Sequence, residues 1–294
     1  MSAQSTERRA VDEAIRSISH IATLPEITVK IIEIVEDATS TANDLISVIS
    51  NDPALCSRIL KVVNSSFYGL PGQVGSIDRA VVMLGLNAVK NIAISASMAK
   101  LFRGGQLTRS FSARDLWMHS VAAATASKML ADAQDVGMSD EAFLSGLVHD
   151  IGIMVELQYD RAKLLEVVTA VSPNGEREPG ADWREVEREQ FGATHEEFGA
   201  ALCEKWKFPA ALARVTGHHH EPMELAAGER SMACLVHIAD RLAAEVSQAP
   251  FRLDLQDLSI DGSVMDEAGV SDAVLAGVRE NLQETFDEVA LLLS

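Results

Sequence analysis

Imidazole and carboxylate groups gathered from separate helices can hold a divalent cation, and the second half of this chain supplies a set of them. Asp115 and His119 stand four apart in RDLWMHS, so on a helix they project from one face. His149 and Asp150 are adjacent behind the apolar run FLSGLV, a context that predicts a buried helix end. His195 follows Thr194 at a helix start. His218, His219 and His220 fall where a helix gives way to a loop. Asp240 lies in LVHIADRLA, where an unpaired carboxylate would be costly. Each feature has an ordinary structural explanation when taken alone: a surface Asp/His pair, a polar loop, a hydrogen-bonded core histidine. That core role is expected for His20 and His237. The order and spacing of the whole set single it out.

The elements that must position these groups read as helices. Asp52 before Pro53 is a helix-start signal, a carboxylate for the free N–H groups followed by a residue with none. Thr41 is expected to cap the helix before it, and another helix is expected to begin at Ser76. The turn-rich NSSFYGLPGQVGSID interrupts the pattern, and Phe67, Tyr68 and Leu70 within it are expected to anchor that loop on the core. RGGQLTRS is the best internal boundary. Beyond it a long helix is expected over 112–132, then a Ser139-capped helix running through EAFLSGLVHDIGIMVELQ. Further helices are expected over 160–171, from Asp182, from the Thr194/Glu197 capping box, over 210–217, near 229–247 and over 271–292. No segment alternates as a strand.

The 294 residues carry a formal charge of −18, which opposes nucleic-acid binding and docking on anionic membranes. Aromatics are only 5% of the chain, favouring helix packing over sheet packing. Cys56, Cys203 and Cys234 are well separated, as free thiols in a reducing compartment would be. With no secretory core at the start and no apolar run long enough to span a bilayer, a cytoplasmic location is expected.

His119, the His149-Asp150 pair in LSGLVHDIG, His195, the run from His219 to Pro222, and Asp240 resemble the HD phosphohydrolase superfamily. Upstream, LPEITVKIIEIV, SNDPALCSRILKVVNSSFYG and SIDRAVVMLGLNAVKNIAI resemble the HDOD (HD-related output domain) family of bacterial signalling proteins. The resemblance covers roughly 20–245. It implies an all-α fold with an N-terminal helical subdomain over 1–108 packed on an HD-like subdomain over 109–250, leaving 251–294 as a C-terminal helical extension.

It also implies a divalent metal, one ion or two, of iron, manganese or zinc. His119, His149, Asp150 and Asp240 match the mononuclear HD pattern. Asp115, His195, His219 and His220 match positions that hold additional metal in related phosphodiesterases, where Glu usually stands in place of Asp115. Ile153 takes the place of the lysine in the usual HDIGK-type run, and no GYP segment follows Glu221. A regulatory module acting through a protein partner is therefore expected. The alternative is a phosphohydrolase acting on a nucleotide or cyclic dinucleotide, with Asp150 as its catalytic metal bridge.

Overall fold

The structure is a computed structural model and describes residues 3–18, 26–37, 39–99, 101–102, 106–135, 137–176, 178–247 and 251–293. His20, Pro25 and residues 103–105 of the expected boundary lie outside the described residues. Among those described the chain is helical, without a sheet; one isolated antiparallel bridge joins Gln106 to Ser112. The fold is all-α, as the sequence predicts.

In the N-terminal part, α1 (Ala3–Ser17) and α2 (Glu26–Glu36) precede α3 (Ala42–Ser50), α4 (Pro53–Val63), α5 (Ile77–Leu84) and α6 (Leu86–Met98). Local chemistry sets the starts. Asp52 Oδ1 accepts from the N–H groups of Ala54 and Leu55, each at 3.0 Å. Ser76 caps α5, and Thr41 forms a capping box with Asp44. Gly85, at φ +89°, divides α5 from α6. Helix α6 is buried along most of its length and packs on α4, α2 and the second half.

The second half is built around α7 (Ala113–Ala133), which lies along α8 (Ser139–Val148), α14 (Ser231–Ala243) and α16 (Asp272–Leu293). Between them run α9 (Ile151–Tyr159), α10 (Arg161–Val171), α11 (Trp183–Phe191), α12 (His195–Lys205) and α13 (Ala210–His218); α15 (Gly262–Ala268) follows α14. Small residues let these helices approach closely. A Cβ on Gly146 would stand 2.7 Å from the Ala123 carbonyl oxygen, so α7 and α8 meet almost backbone to backbone. One continuous apolar core runs from Val11 to Leu293.

Two local expectations need correction. Ser139 is the first residue of α8 rather than its cap; Met138 stands at the cap position without a side-chain bond. The helix expected through residues 141–158 breaks at His149-Asp150, where Asp150 has φ −96° and ψ 13°. The Phe67/Tyr68 loop is anchored as expected. Phe67 packs on Phe143 at 5.8 Å, Lys128 Nζ sits 5.5 and 5.1 Å from the Phe67 and Tyr68 ring centroids, and the Tyr68 hydroxyl donates to Asp140 at 3.0 Å.

Candidate metal centre

The break between α8 and α9 turns two adjacent side chains into one cavity. Asp150 is fully buried there, and its two oxygens face different ways. Oδ2 lies 3.1 Å from His149 Nε2 and 3.8 Å from His119 Nε2; Oδ1 lies 3.3 Å from His219 Nε2 and 3.8 Å from His195 Nε2. Asp240, on α14, places Oδ1 2.9 Å from His119 Nε2 and 3.6 Å from His149 Nε2. The sequence thus brings together residues from α7, the α8–α9 junction, α12, the end of α13 and α14.

Two groups of donor atoms emerge, each with all members within 4.8 Å of one another. One is His119, His149 and Asp150; the other is Asp150, His195, His219, His220 and Asp254. Asp115 is in neither. It sits half-buried in the first turn of α7, where its N–H donates to Ser112 Oγ. His218 turns away, with Nδ1 against the Arg214 carbonyl, and His237 binds the His219 carbonyl at 2.7 Å.

The outward-facing ring nitrogens of three histidines are fixed. His149 Nδ1 lies 2.7 Å from the Gly146 carbonyl, His219 Nδ1 3.0 Å from the Thr216 carbonyl, and His195 Nδ1 2.9 Å from both Glu187 oxygens. Each carbonyl or carboxylate accepts an Nδ1–H, so that in the neutral ring Nε2 keeps a lone pair aimed inward, the tautomer a metal ligand needs. Glu187 also accepts from the His195 backbone N–H and from the Trp183 indole.

Four carboxylates near the cluster were not singled out in the sequence. Glu187 shares the buried face of α11 with Trp183 and Phe191, a Glu at helical spacing between two aromatics, and that pattern was a usable signal. Glu196 accepts from the His220 N–H at 3.2 Å and from Arg184 at 3.2 Å. Glu156 is fully buried in apolar α9. Asp254 lies beyond the last helix of the expected HD-like part, 3.5 Å from His220.

Electrostatically the cluster is rich in buried acid. Burial raises the Asp150 pKa, but His149 and His219 outweigh it and hold the group well below the usual carboxylate range. Burial, then the neighbouring Glu187 and Asp150, push Glu156 well above it. Asp254 is pushed up by burial and by Asp150 and Asp240. Burial opposes a charged His195, yet Glu187 raises its pKa to about 9.

The donor set fits a divalent metal on a direct criterion. Buried atoms without any hydrogen-bond partner include His149 Nε2, His219 Nε2, Asp240 Oδ2 and both oxygens of Asp150 and Asp254. Such atoms are expensive unless something compensates them, and they converge on the same cavity. The buried His/Asp cluster can hold a metal. Ile153 is fully buried in α9, so no cation stands where the HDIGK-type run would place its lysine.

Comparison with known proteins agrees with this architecture. The family model for the HDOD domain matches residues 21–222. An uncharacterized protein of Treponema pallidum (strain Nichols) is 25% identical over 201 residues, 67% of this chain but only 37% of that protein. This chain therefore aligns with little more than a third of that relative's length. Among solved structures, a "putative phosphohydrolase" from Shewanella amazonensis SB2B is 25% identical with a TM-score of 0.73, covering 97% of this chain and 98% of the other. An HDOD domain protein of unknown function from Geobacter sulfurreducens has the same fold at 20% identity, with a TM-score of 0.77 and 98% of both chains covered. No helix among the described residues is long and apolar enough to cross a membrane.

Proposed function

Because the chain belongs to the HDOD family, we propose that it is a bacterial signal-transduction output module that acts by binding a regulatory protein partner. In this reading the His/Asp cluster is a structural centre for one or two divalent cations, with iron, manganese or zinc suited to its mixed imidazole and carboxylate donors. A bound cation would supply the positive charge these buried carboxylates lack, tying α7, α9, α12, α13 and α14 to one point.

The observation that carries the proposal is closure. His119, His149, Asp150, His195, His219 and Asp240 have no exposed surface, and Phe251, Leu253 and Leu255, which flank Asp254 in the chain, are buried too. Phe251 packs on His119 at 5.6 Å and on Trp183 at 5.8 Å. Structural metal sites are closed in this way, whereas catalytic ones keep a position open to substrate. The buried Ile153 agrees, since a cation for the phosphate is missing at that place.

A phosphohydrolase acting on a nucleotide or cyclic dinucleotide is the second reading. It is favoured by the position of Asp150 between two donor groups and by the likeness to the Shewanella protein. In it His119, His149 and Asp240 would hold one cation, His195, His219 and His220 another, and Asp150 would face both. The cations would neutralise phosphate charge; this chain's residues would orient the phosphate and exclude water, after residues 251–255 had moved aside.

Two measurements on the full chain separate the readings. Protein purified without added metal should contain a divalent metal, yet show no hydrolysis of a generic phosphodiester or of cyclic dinucleotides under iron, manganese or magnesium. Turnover that disappears in Asp150→Ala would establish the second reading instead. Affinity capture followed by reconstitution with the purified candidate should yield a defined complex with a regulatory protein; repeated failure of that reconstitution would count against the first.

A further inference from the structure

The sequence offers Asp115 as the carboxylate for a second cation, and the structure leaves it outside the cluster. A different carboxylate fills the gap. Asp254 belongs to the segment Phe251–Leu255, which follows α14 and alternates apolar and charged residues. Phe251, Leu253 and Leu255 are buried, while Arg252 reaches Glu178 at 3.8 Å. Asp254 is buried among them, and its side chain has no exposed surface.

An inward carboxylate of this kind needs a partner, and none is made by the protein. Both Asp254 oxygens lack a hydrogen bond, and His220 Nε2, the nearest ring nitrogen, lies 3.5 Å away. A buried carboxyl group without a hydrogen-bond partner is costly to keep. One of these oxygens belongs to the group formed with Asp150, His195, His219 and His220, whose donor atoms all lie within 4.8 Å of one another. His195 and His220 bring two ring nitrogens to 3.0 Å. The pairing requires one of them to donate a proton, and a shared cation would remove the need. Imidazoles therefore crowd one side of this group, with carboxylates completing it.

We propose that Asp254 is a metal ligand: the C-terminal segment closes a second cation position formed with Asp150, His195, His219 and His220, a donor group that includes Asp254 and not Asp115. The inference rests on the reading that the cluster holds divalent cations. It adds that the second position is completed only when residues 251–255 are in place.

The test uses the full chain, stripped with chelator and titrated with Mn²⁺, with bound metal counted by elemental analysis after equilibrium dialysis and by electron paramagnetic resonance. The parent should bind two ions with an exchange-coupled signal. Asp254→Asn should bind one ion, give an uncoupled six-line spectrum and lose affinity for the other more than about 100-fold, beyond the range typical of outer-shell losses. Asp115→Asn should still bind two. Asp254→His, which keeps a donor at the same place, should restore the second ion and covers the case in which the Asn variant does not fold. Two ions of unchanged affinity in Asp254→Asn, or a single ion in the parent, would overturn the assignment of Asp254 while leaving a metal centre intact. No bound ion in the parent would overturn the centre itself, and this proposal with it.

Discussion

Gly152→Ala isolates the close packing that aims His195 at Asp150. In an exposed helix this substitution stabilises by about 1 kcal/mol, because alanine loses less backbone freedom. At position 152 the new Cβ would stand 2.6 Å from the His195 carbonyl carbon and 2.8 Å from the Gly199 nitrogen, with the His195 carbonyl oxygen nearer still. Those are backbone atoms, so no side chain can swing aside. Helix α12 would have to retreat from α9 by more than about 1.5 Å to bring that oxygen to ordinary contact at 3.4 Å. Overpacking of a buried contact costs about 1–3 kcal/mol, and a backbone obstacle belongs at the upper end. Subtracting the propensity gain leaves a net loss of about 2 kcal/mol, or about 4–8 °C in melting midpoint. His195 opens α12, so the same retreat should weaken metal binding at least about 10-fold. Gly277→Ala is the control. Gly277 lies on the exposed face of α16, where an added Cβ would meet no other atom within 4 Å, and the same change there should stabilise by about 1 kcal/mol. The assay is thermal and urea unfolding of metal-free protein followed by circular dichroism. A Gly152→Ala chain as stable as its parent would refute the packing argument.

Other expectations follow from the same contacts. In metal-free protein the raised pKa of His195 contributes stability that is complete below pH 6.5 and lost as pH rises through about 9; unfolding free energy should fall by about 3 kcal/mol across that window, and Glu187→Gln should flatten the profile. Removing the N-cap of α4 in Asp52→Ala should cost about 1 kcal/mol in urea denaturation, since two N–H groups lose their acceptor. Tyr68→Phe deletes the bond to Asp140 and should cost about 1 kcal/mol while leaving metal content unchanged; a change in bound metal would show that the loop reaches the centre.

Helix starts were legible because their signals are local. Asp182 accepts a backbone N–H as the expected cap, and Ser112 and Asp160, where the sequence starts helices, prove to be caps accepting N–H groups too. The site was legible in part because histidines and aspartates are chemically conspicuous, and His119, His149, Asp150, His195, His219, His220 and Asp240 do converge. The break at His149-Asp150 was legible only as a buried helix end, while the periodicity carried one helix through it. The close approach of Gly152 to the backbone of α12, between residues more than forty positions apart, was not legible. Asp254 was hidden for a similar reason: its alternating segment has no helical period, and only the burial of Phe251 and Leu253 shows which way it points. Asp115 was favoured by its spacing from His119 and by the family resemblance, yet it belongs to neither donor group.

The donors that surround Asp150 are drawn from positions 119 to 254, and none of the innermost ones touches solvent. A cation seated among them could leave only through a transient opening of the helices, so its residence time would follow the unfolding kinetics of this region rather than its affinity alone. Uptake would then belong to the moment of folding, and the metal supply at that moment would decide which ion each molecule keeps.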